Sequence, residues 1–188
     1  MDGAHKAPDR RVQRTRMILL DALRTLLMER GYERLTIQAI LDRAGVGRAT
    51  FYTHFKSKDD LLEASLHGLR GWLLDRAHRH RDERLPVSLP LFEHLDSHRA
   101  IYRCTIGRRG EVTVARMMRR MLRELMHDDI ARASPASPAS TIALTTDFAV
   151  SALWSTVVWW MTVEPTLPAG DVNRRFRELV FNGISGET

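Results

Sequence analysis

Residues 36–58 read TIQAILDRAGVGRATFYTHFKSK, and the fold turns on this stretch. Thr36 can cap a helix N-terminus by accepting a bond from a free backbone N–H. Ile37, Ile40, Leu41 and Ala44 then recur at i, i+3, i+4 and i+7, the apolar stripe of a helix. Gly45 stops that helix, because a positive φ costs glycine little. Val46 anchors the turn, and Gly47 is a weaker N-cap than serine. A short second helix over 48–53 sets Phe51 and Phe55 four apart, both inward, which leaves Arg48, Ala49, Thr50 and Thr53 outward. Two helices joined by a short glycine-containing turn form a helix-turn-helix, the geometry that lays its second helix in a DNA major groove.

The outward side chains suit that task. Arg48 can bond guanine O6 and N7 together, and Thr50 can bond a base edge or meet a thymine methyl. Tyr52, His54 and Lys58 can donate to phosphate oxygens, which fix register without reading sequence. Lys58 lies in the first turn of the following helix, where free N–H groups also favour an anion. The candidate DNA-binding set is therefore Thr36, Gly47, Arg48, Ala49, Thr50, Tyr52, Thr53, His54 and Lys58.

With the helix before it, this stretch resembles the DNA-binding domain of the TetR family of bacterial transcriptional regulators. The family pattern runs T-hydrophobic-x-x-I-A-x-x-A-G-V-S-x-x-x-hydrophobic-Y-x-H-F-x-x-K. Thr36, Ile40, Ala44, Gly45, Val46, Phe51, Tyr52, His54, Phe55 and Lys58 stand at the matching places. Leu41 stands where alanine is usual and Gly47 where serine is usual. The second change weakens one cap and one phosphate contact, and neither removes a groove-facing residue. The resemblance implies a cytoplasmic homodimer that binds a near-palindromic double-stranded operator, more often as repressor than activator, under control of a small apolar effector. The alternative is a regulator or coactivator controlled by a protein partner through its C-terminal helical domain.

Composition agrees with a folded, water-soluble chain: 188 residues, 44% apolar and 28% charged. The formal net charge of +6 is unevenly placed. Residues 1–58 carry 12 Lys and Arg against 6 Asp and Glu, and the remainder carries 17 of each. The whole excess thus falls on the segment assigned to DNA, an electrostatic footprint for a polyanion. The single cysteine, Cys104, excludes an intrachain disulfide and reads as a small apolar helix residue, consistent with a reducing cytoplasm. The N-terminus lacks the apolar run of a signal peptide. The longest uncharged run, residues 148–163, is shorter than the roughly 20 residues of a membrane span, so no membrane partner is expected.

In chain order, residues 1–10 read as a flexible basic tail and 11–58 as the helix-turn-helix domain. Leu19, Ala22, Leu23, Leu26 and Leu27 stripe the first helix, which Gly31 ends. Residues 59–82 read as a connecting helix capped by Ser57, with Asp60 reaching back, and extending to about Arg81. The prolines of 82–90 mark the junction to a helical domain, 83–188. A helix is expected to open at Pro90, with Leu91, Phe92 and Leu95 apolar, and further helices over 100–106, 111–133, 141–163 and 171–182, with the SPASPAS run at 134–140 as a flexible connection. The expected architecture is all-α: an N-terminal three-helix unit, a long fourth helix, and a C-terminal bundle that dimerises through its last two helices.

The candidate effector-pocket residues are Trp72, Phe92, Tyr102, Met118, Trp154 and Trp159. Phe92 and Tyr102 belong to a weaker resemblance to one C-terminal subclass of the same family. Trp154, Trp159 and Trp160 suit either a pocket or a dimer interface, where aromatics are enriched. His94 and His98 have metal-sharing i, i+4 spacing, but without a third ligand they read as solvated, as do His78 and His80. No catalytic residue, metal site or cofactor is expected, since no nucleophile–base pair, phosphate-binding glycine loop or metal cluster is present to support an enzyme.

Overall fold

The computed structural model describes residues 10–80, 83–105 and 112–183, the side chains of 103–105 excepted. The basic tail before Arg10, the Cys104 side chain, Asp82 at the expected junction and the Arg108-Arg109 turn lie outside the described residues. Among the described residues the elements are α1 (Arg10–Arg30), α2 (Ile37–Ala44), α3 (Arg48–His54), α4 (Lys58–Ala77), a 3-10 turn (His78–His80), α5 (Ser88–Ser97), α6 (Arg99–Thr105), α7 (Val112–Ala133), α8 (Ala139–Thr162) and α9 (Ala169–Asn182). The fold is all-α, as the periodicity implies.

The reading unit closes as its sequence dictates. Thr36 accepts from the Ala39 N–H at 3.2 Å, and Gly45 takes φ 63° as the C-terminal stop of α2. Gly31 does the same for α1 at φ 73°, its N–H bonded to the Leu27 carbonyl at 3.1 Å. Phe51 and Phe55 are buried in the same apolar cluster as Leu19, Leu23, Leu26 and Ile40 of α1 and α2, which seats α3 on the core. Truncating either phenylalanine to alanine would cost about 3–5 kcal/mol, enough to unseat a seven-residue helix.

Helix α4 starts on the Ser57 cap, whose hydroxyl accepts from the Asp60 N–H at 3.1 Å. Asp60 reaches one residue further back than a capping box requires and accepts from the Lys56 N–H at 2.7 Å. The α-helix ends at Ala77, short of the expected Arg81, and continues only as the 3-10 turn. Past it, Leu85 takes a positive φ of 53° that only packing can hold in a non-glycine residue. Its side chain is buried, and its N–H donates to the buried Asp129 carboxylate of α7 at 2.9 Å.

Around α4 the C-terminal bundle pairs α7 with α8 and α5 with α9, while α6 lies against α1. Its centre is an aromatic trio: the Phe92 ring meets Trp160 at 5.7 Å and Phe176 at 6.1 Å, both edge-on. The Arg99 guanidinium covers the Trp160 ring at 4.3 Å and donates to the carbonyls of Pro165 and Leu167. Trp160 Nε1 donates to the same Leu167 carbonyl at 2.9 Å, so the turn between α8 and α9 is held from both sides.

Helix α8 is long and apolar enough to cross a membrane by length and composition alone. In this fold its Ala149, Val150, Leu153, Val157 and Trp160 are buried in the bundle. Its opposite side leaves Leu144 and Phe148 71% and 60% exposed.

Candidate nucleic-acid interface and cavity

Helix α3 presents Arg48, Ala49, Thr50 and Thr53 to solvent along one face, with Gly47 exposed at its start and Thr36 exposed at the start of α2. The Thr53 hydroxyl donates to the Thr50 carbonyl at 2.7 Å. Tyr52 is 48% exposed and stands edge-on to Phe51 at 5.4 Å, so its ring is braced while its hydroxyl faces out. The C-terminal end of α3 is tied to α1: the Arg16 guanidinium donates to the His54 carbonyl at 3.2 Å and lies 4.5 Å over the Phe55 ring. Arg16 thus fastens the C-terminal end of α3 to α1.

Lys58 is likewise engaged inward. Its ammonium donates to the carbonyls of Tyr32 and Leu35 at 3.0 and 2.9 Å and lies 4.1 Å over the Tyr32 ring. The Tyr32 hydroxyl in turn donates to Asp59. Burial, and then the carboxylate that accepts its hydrogen bond, push this hydroxyl well above the usual phenol range, so it stays a donor. The expectation of a lysine held out toward phosphate is therefore not what the geometry provides: two of its three donors close the α1–α2 connection onto α4.

A cavity of about 510 Å³ lies between α1, α4, α5, α6 and α7. Leu20, Leu27, Leu62, Leu66, Leu69, Ile101, Val114 and Met118 form its apolar wall. Of the expected pocket residues, Trp72, Tyr102 and Met118 line it. Phe92 does not; it is fully buried in the aromatic trio. Trp154 and Trp159 do not line it either. They are half-buried on α8, where the Arg175 guanidinium lies 5.6 Å over the Trp159 ring.

The cavity's polar side includes His94 and His98, which the sequence reads as solvated; His98 is exposed, while His94 is half-buried beside the expected pocket residues Trp72 and Tyr102. The His94 ring is half-buried, 5.2 Å from the Trp72 ring and stacked on His98 at 4.3 Å. A His94 ring nitrogen sits 3.1 Å from the Tyr102 hydroxyl. Burial, then the neighbouring His98, lowers the His94 pKa to about 4, so this imidazole is neutral near pH 7. The signal available in sequence was its position three residues after Leu91 and one before Leu95, at the edge of the apolar stripe of α5. Among the described residues no group of three or more His, Cys, Asp or Glu is placed to hold a metal.

Comparisons with known proteins agree with this architecture. The family profile "Bacterial regulatory proteins, tetR family" matches residues 19–65, and the profile "Transcriptional regulator C-terminal region" matches residues 82–182. The HTH-type transcriptional repressor KstR2 of Mycolicibacterium smegmatis is 27% identical over 184 residues, covering 89% of each chain. A TetR transcriptional regulator from Streptococcus agalactiae superposes with TM-score 0.69 at 22% identity, over 92% of this chain and 96% of that one. FadR from Bacillus subtilis, solved in complex with stearoyl-CoA, superposes with TM-score 0.65 at 18% identity, over 90% of this chain and 99% of that one. With its helix-turn-helix and its C-terminal half both matched, the chain belongs to the TetR family of transcriptional regulators.

Proposed function

We infer that this regulator is a cytoplasmic repressor that binds a near-palindromic operator as a homodimer. Residues 11–58 are the reading head, 59–82 the connecting helix, and 83–188 the sensing and dimerising domain. The observation that carries this reading is the exposed Arg48-Ala49-Thr50 and Thr53 face of α3, on a helix anchored from the other side by the fully buried Phe51. Arg48 and Thr50 read base edges, and Ala49 and Thr53 make apolar contact with the groove. Tyr52, His54 and the N-terminal backbone amides after Gly47 and Thr36 hold phosphates. The homodimer forms through the open side of α8 and through α9, where Leu144, Phe148 and Leu179 are exposed. Two heads then sit roughly 34 Å, one turn of DNA, apart or a multiple of that.

A small apolar effector controls the protein from the cavity between α1, α4, α5, α6 and α7. Its volume of about 510 Å³ suits a drug-sized molecule. Because α1 belongs to the reading head and α6 to the sensing domain, an occupant touching Leu20 and Ile101 biases how the two fit together. FadR of Bacillus subtilis, a chain of similar fold, was solved with stearoyl-CoA, whose long acyl chain is an apolar group of the kind this cavity wall suits. The cavity also favours this reading over control by a protein partner alone.

Selection of duplexes from a random pool, followed by binding titrations against salt, tests the DNA reading. An enriched inverted repeat is expected. Salt-driven binding with no enriched sequence would set it aside.

A further inference from the structure

Resting on the reading of α3 as the recognition helix, the chain just beyond it identifies which lysine of the motif meets DNA. Two lysines stand at the α3–α4 junction, Lys56 and Lys58. The Lys58 ammonium is turned into the fold, onto the Tyr32 and Leu35 carbonyls. Lys56 is exposed. Its direction follows from the backbone. Phe51 and Phe55 both enter the apolar cluster, their ring centroids 6.0 Å apart, so they mark the inward side of α3. Phe55 leaves the helix in an extended conformation, with φ -144° and ψ 134°. Successive side chains of an extended backbone point to opposite sides. With Phe55 inward, Lys56 projects outward, to the side on which Arg48, Thr50 and Thr53 are exposed. Its main chain is held as well: its N–H donates to the Asp60 carboxylate at 2.7 Å, and the next residue, Ser57, caps α4. The two carboxylates nearest in sequence are engaged by the fold, Asp59 with the Tyr32 hydroxyl and Asp60 with that N–H.

We propose that Lys56 binds operator phosphate and takes the place that the motif gives to Lys58. A helix with its side chains is roughly 10–12 Å across and the major groove about 12 Å wide, so a recognition helix fills the groove and the chain leaving its end meets the wall of phosphates. The N-terminal residues of such a helix contact base edges. Lys56 follows the C-terminal end of α3 and therefore falls on the backbone, where contacts fix register. A lysine ammonium is a compact point charge, suited to a phosphate oxygen rather than to the paired contacts that read a base.

The test uses the full chain and the operator recovered by selection from the random pool, titrated between about 50 and 200 mM salt. Lys56→Gln is expected to flatten the slope of log binding constant against log salt by about 0.9 for each bound chain. It should weaken operator and random duplexes by similar factors and still select the same repeat. Its melting temperature should match the wild type, as for an exposed side chain away from the core, which separates a lost contact from a lost fold. Lys56→Arg should keep the wild-type slope. Arg119→Gln, which removes the same charge from an exposed position on α7, should keep it too. A slope unchanged in Lys56→Gln, or flattened equally in Arg119→Gln, would overturn the assignment. So would a loss confined to the operator with a changed base preference, which would put Lys56 on a base edge. A wild type that enriches no repeat would overturn the reading of α3 itself, and the assignment with it.

Discussion

The Lys58 ammonium donates to the Tyr32 carbonyl at 3.0 Å while lying 4.1 Å over the Tyr32 ring, so one residue's backbone and side chain both hold the cation. With the Leu35 carbonyl at 2.9 Å and the Tyr32–Asp59 bond, this ties the loop before α2 to the start of α4. The Tyr32 carbonyl also accepts from the Leu35 N–H at 3.1 Å, and the lysine adds a stronger, charge-assisted bond to the same turn. Lys58→Met keeps the stem and removes the charge. It is expected to lower the melting temperature by about 2–8 °C, from a loss of roughly 1–2 kcal/mol in a chain of this size. DNA affinity should fall as well, yet the slope of log binding constant against log salt should hold, because no phosphate contact is lost. A slope smaller by about 0.9 would assign Lys58 to a phosphate instead.

Arg48 is exposed at the first position of α3, and no hydrogen bond or ion pair engages its guanidinium among the described residues. Arg48→Ala is expected to cost about 1–3 kcal/mol on the selected operator and to relax preference at one base position in each half-site. Repeating the selection with the variant checks this. An equal loss on operator and on random duplex would reassign Arg48 to the backbone.

What could be read from the sequence was whatever local rules fix. The Thr36 cap, the Gly31 and Gly45 stops and the Ser57 cap each satisfy helix-end groups within a few residues, and each holds in the fold. The Phe51–Phe55 spacing likewise fixes which face of α3 is wet. The rest depends on partners far away in the chain. Lys58 bonds across 26 residues to Tyr32, and the left-handed Leu85 is held by Asp129, 44 residues on. Nothing local distinguishes an inward lysine from an outward one. The tryptophans show the same limit. Trp72 faces the cavity and Trp160 the core, although both sit in apolar helical stripes, because which side of a stripe meets a void is settled by α1 and α6 docking together.

His94 gives the fold a pH dependence with a definite sign. Its folded pKa of about 4 lies below the ordinary 6.5, so between those values the unfolded chain binds the proton and the folded chain does not. Stability therefore rises with pH through that window, is flat above about 6.5, and falls as acid is added toward pH 4. The ring is only half-buried, so solvent screening reduces the effect to about 1 kcal/mol between pH 7 and 5, roughly 2–4 °C. Melting curves of the wild type and His94→Phe over that range isolate it. The variant should lose less stability on acidification, and parallel curves would mean that His94 is protonated in the fold.

Phe148 and Leu144 lie one turn apart on α8, 60% and 71% exposed, and Leu179 on α9 is 54% exposed. A chain that leaves such side chains wet on its two C-terminal helices has not finished burying its apolar surface, and isologous pairing would complete the burial. Phe148→Asp places a charge at the centre of that contact, where it would meet its own copy or lie unpaired in an apolar seam. Light scattering is expected to show the variant as a monomer at concentrations where the wild type is a dimer. Its melting temperature should then lose the concentration dependence of a linked dimer. Met17→Gln, on α1 at 68% exposure, removes a comparable apolar side chain away from α8 and should leave the dimer intact. A Phe148→Asp protein that stays dimeric would move the interface off this face of α8. The monomer should also bind a single half-site nearly as well as the wild type does while losing about 10²-fold or more on the full repeat, because only the paired heads gain from a shared tether.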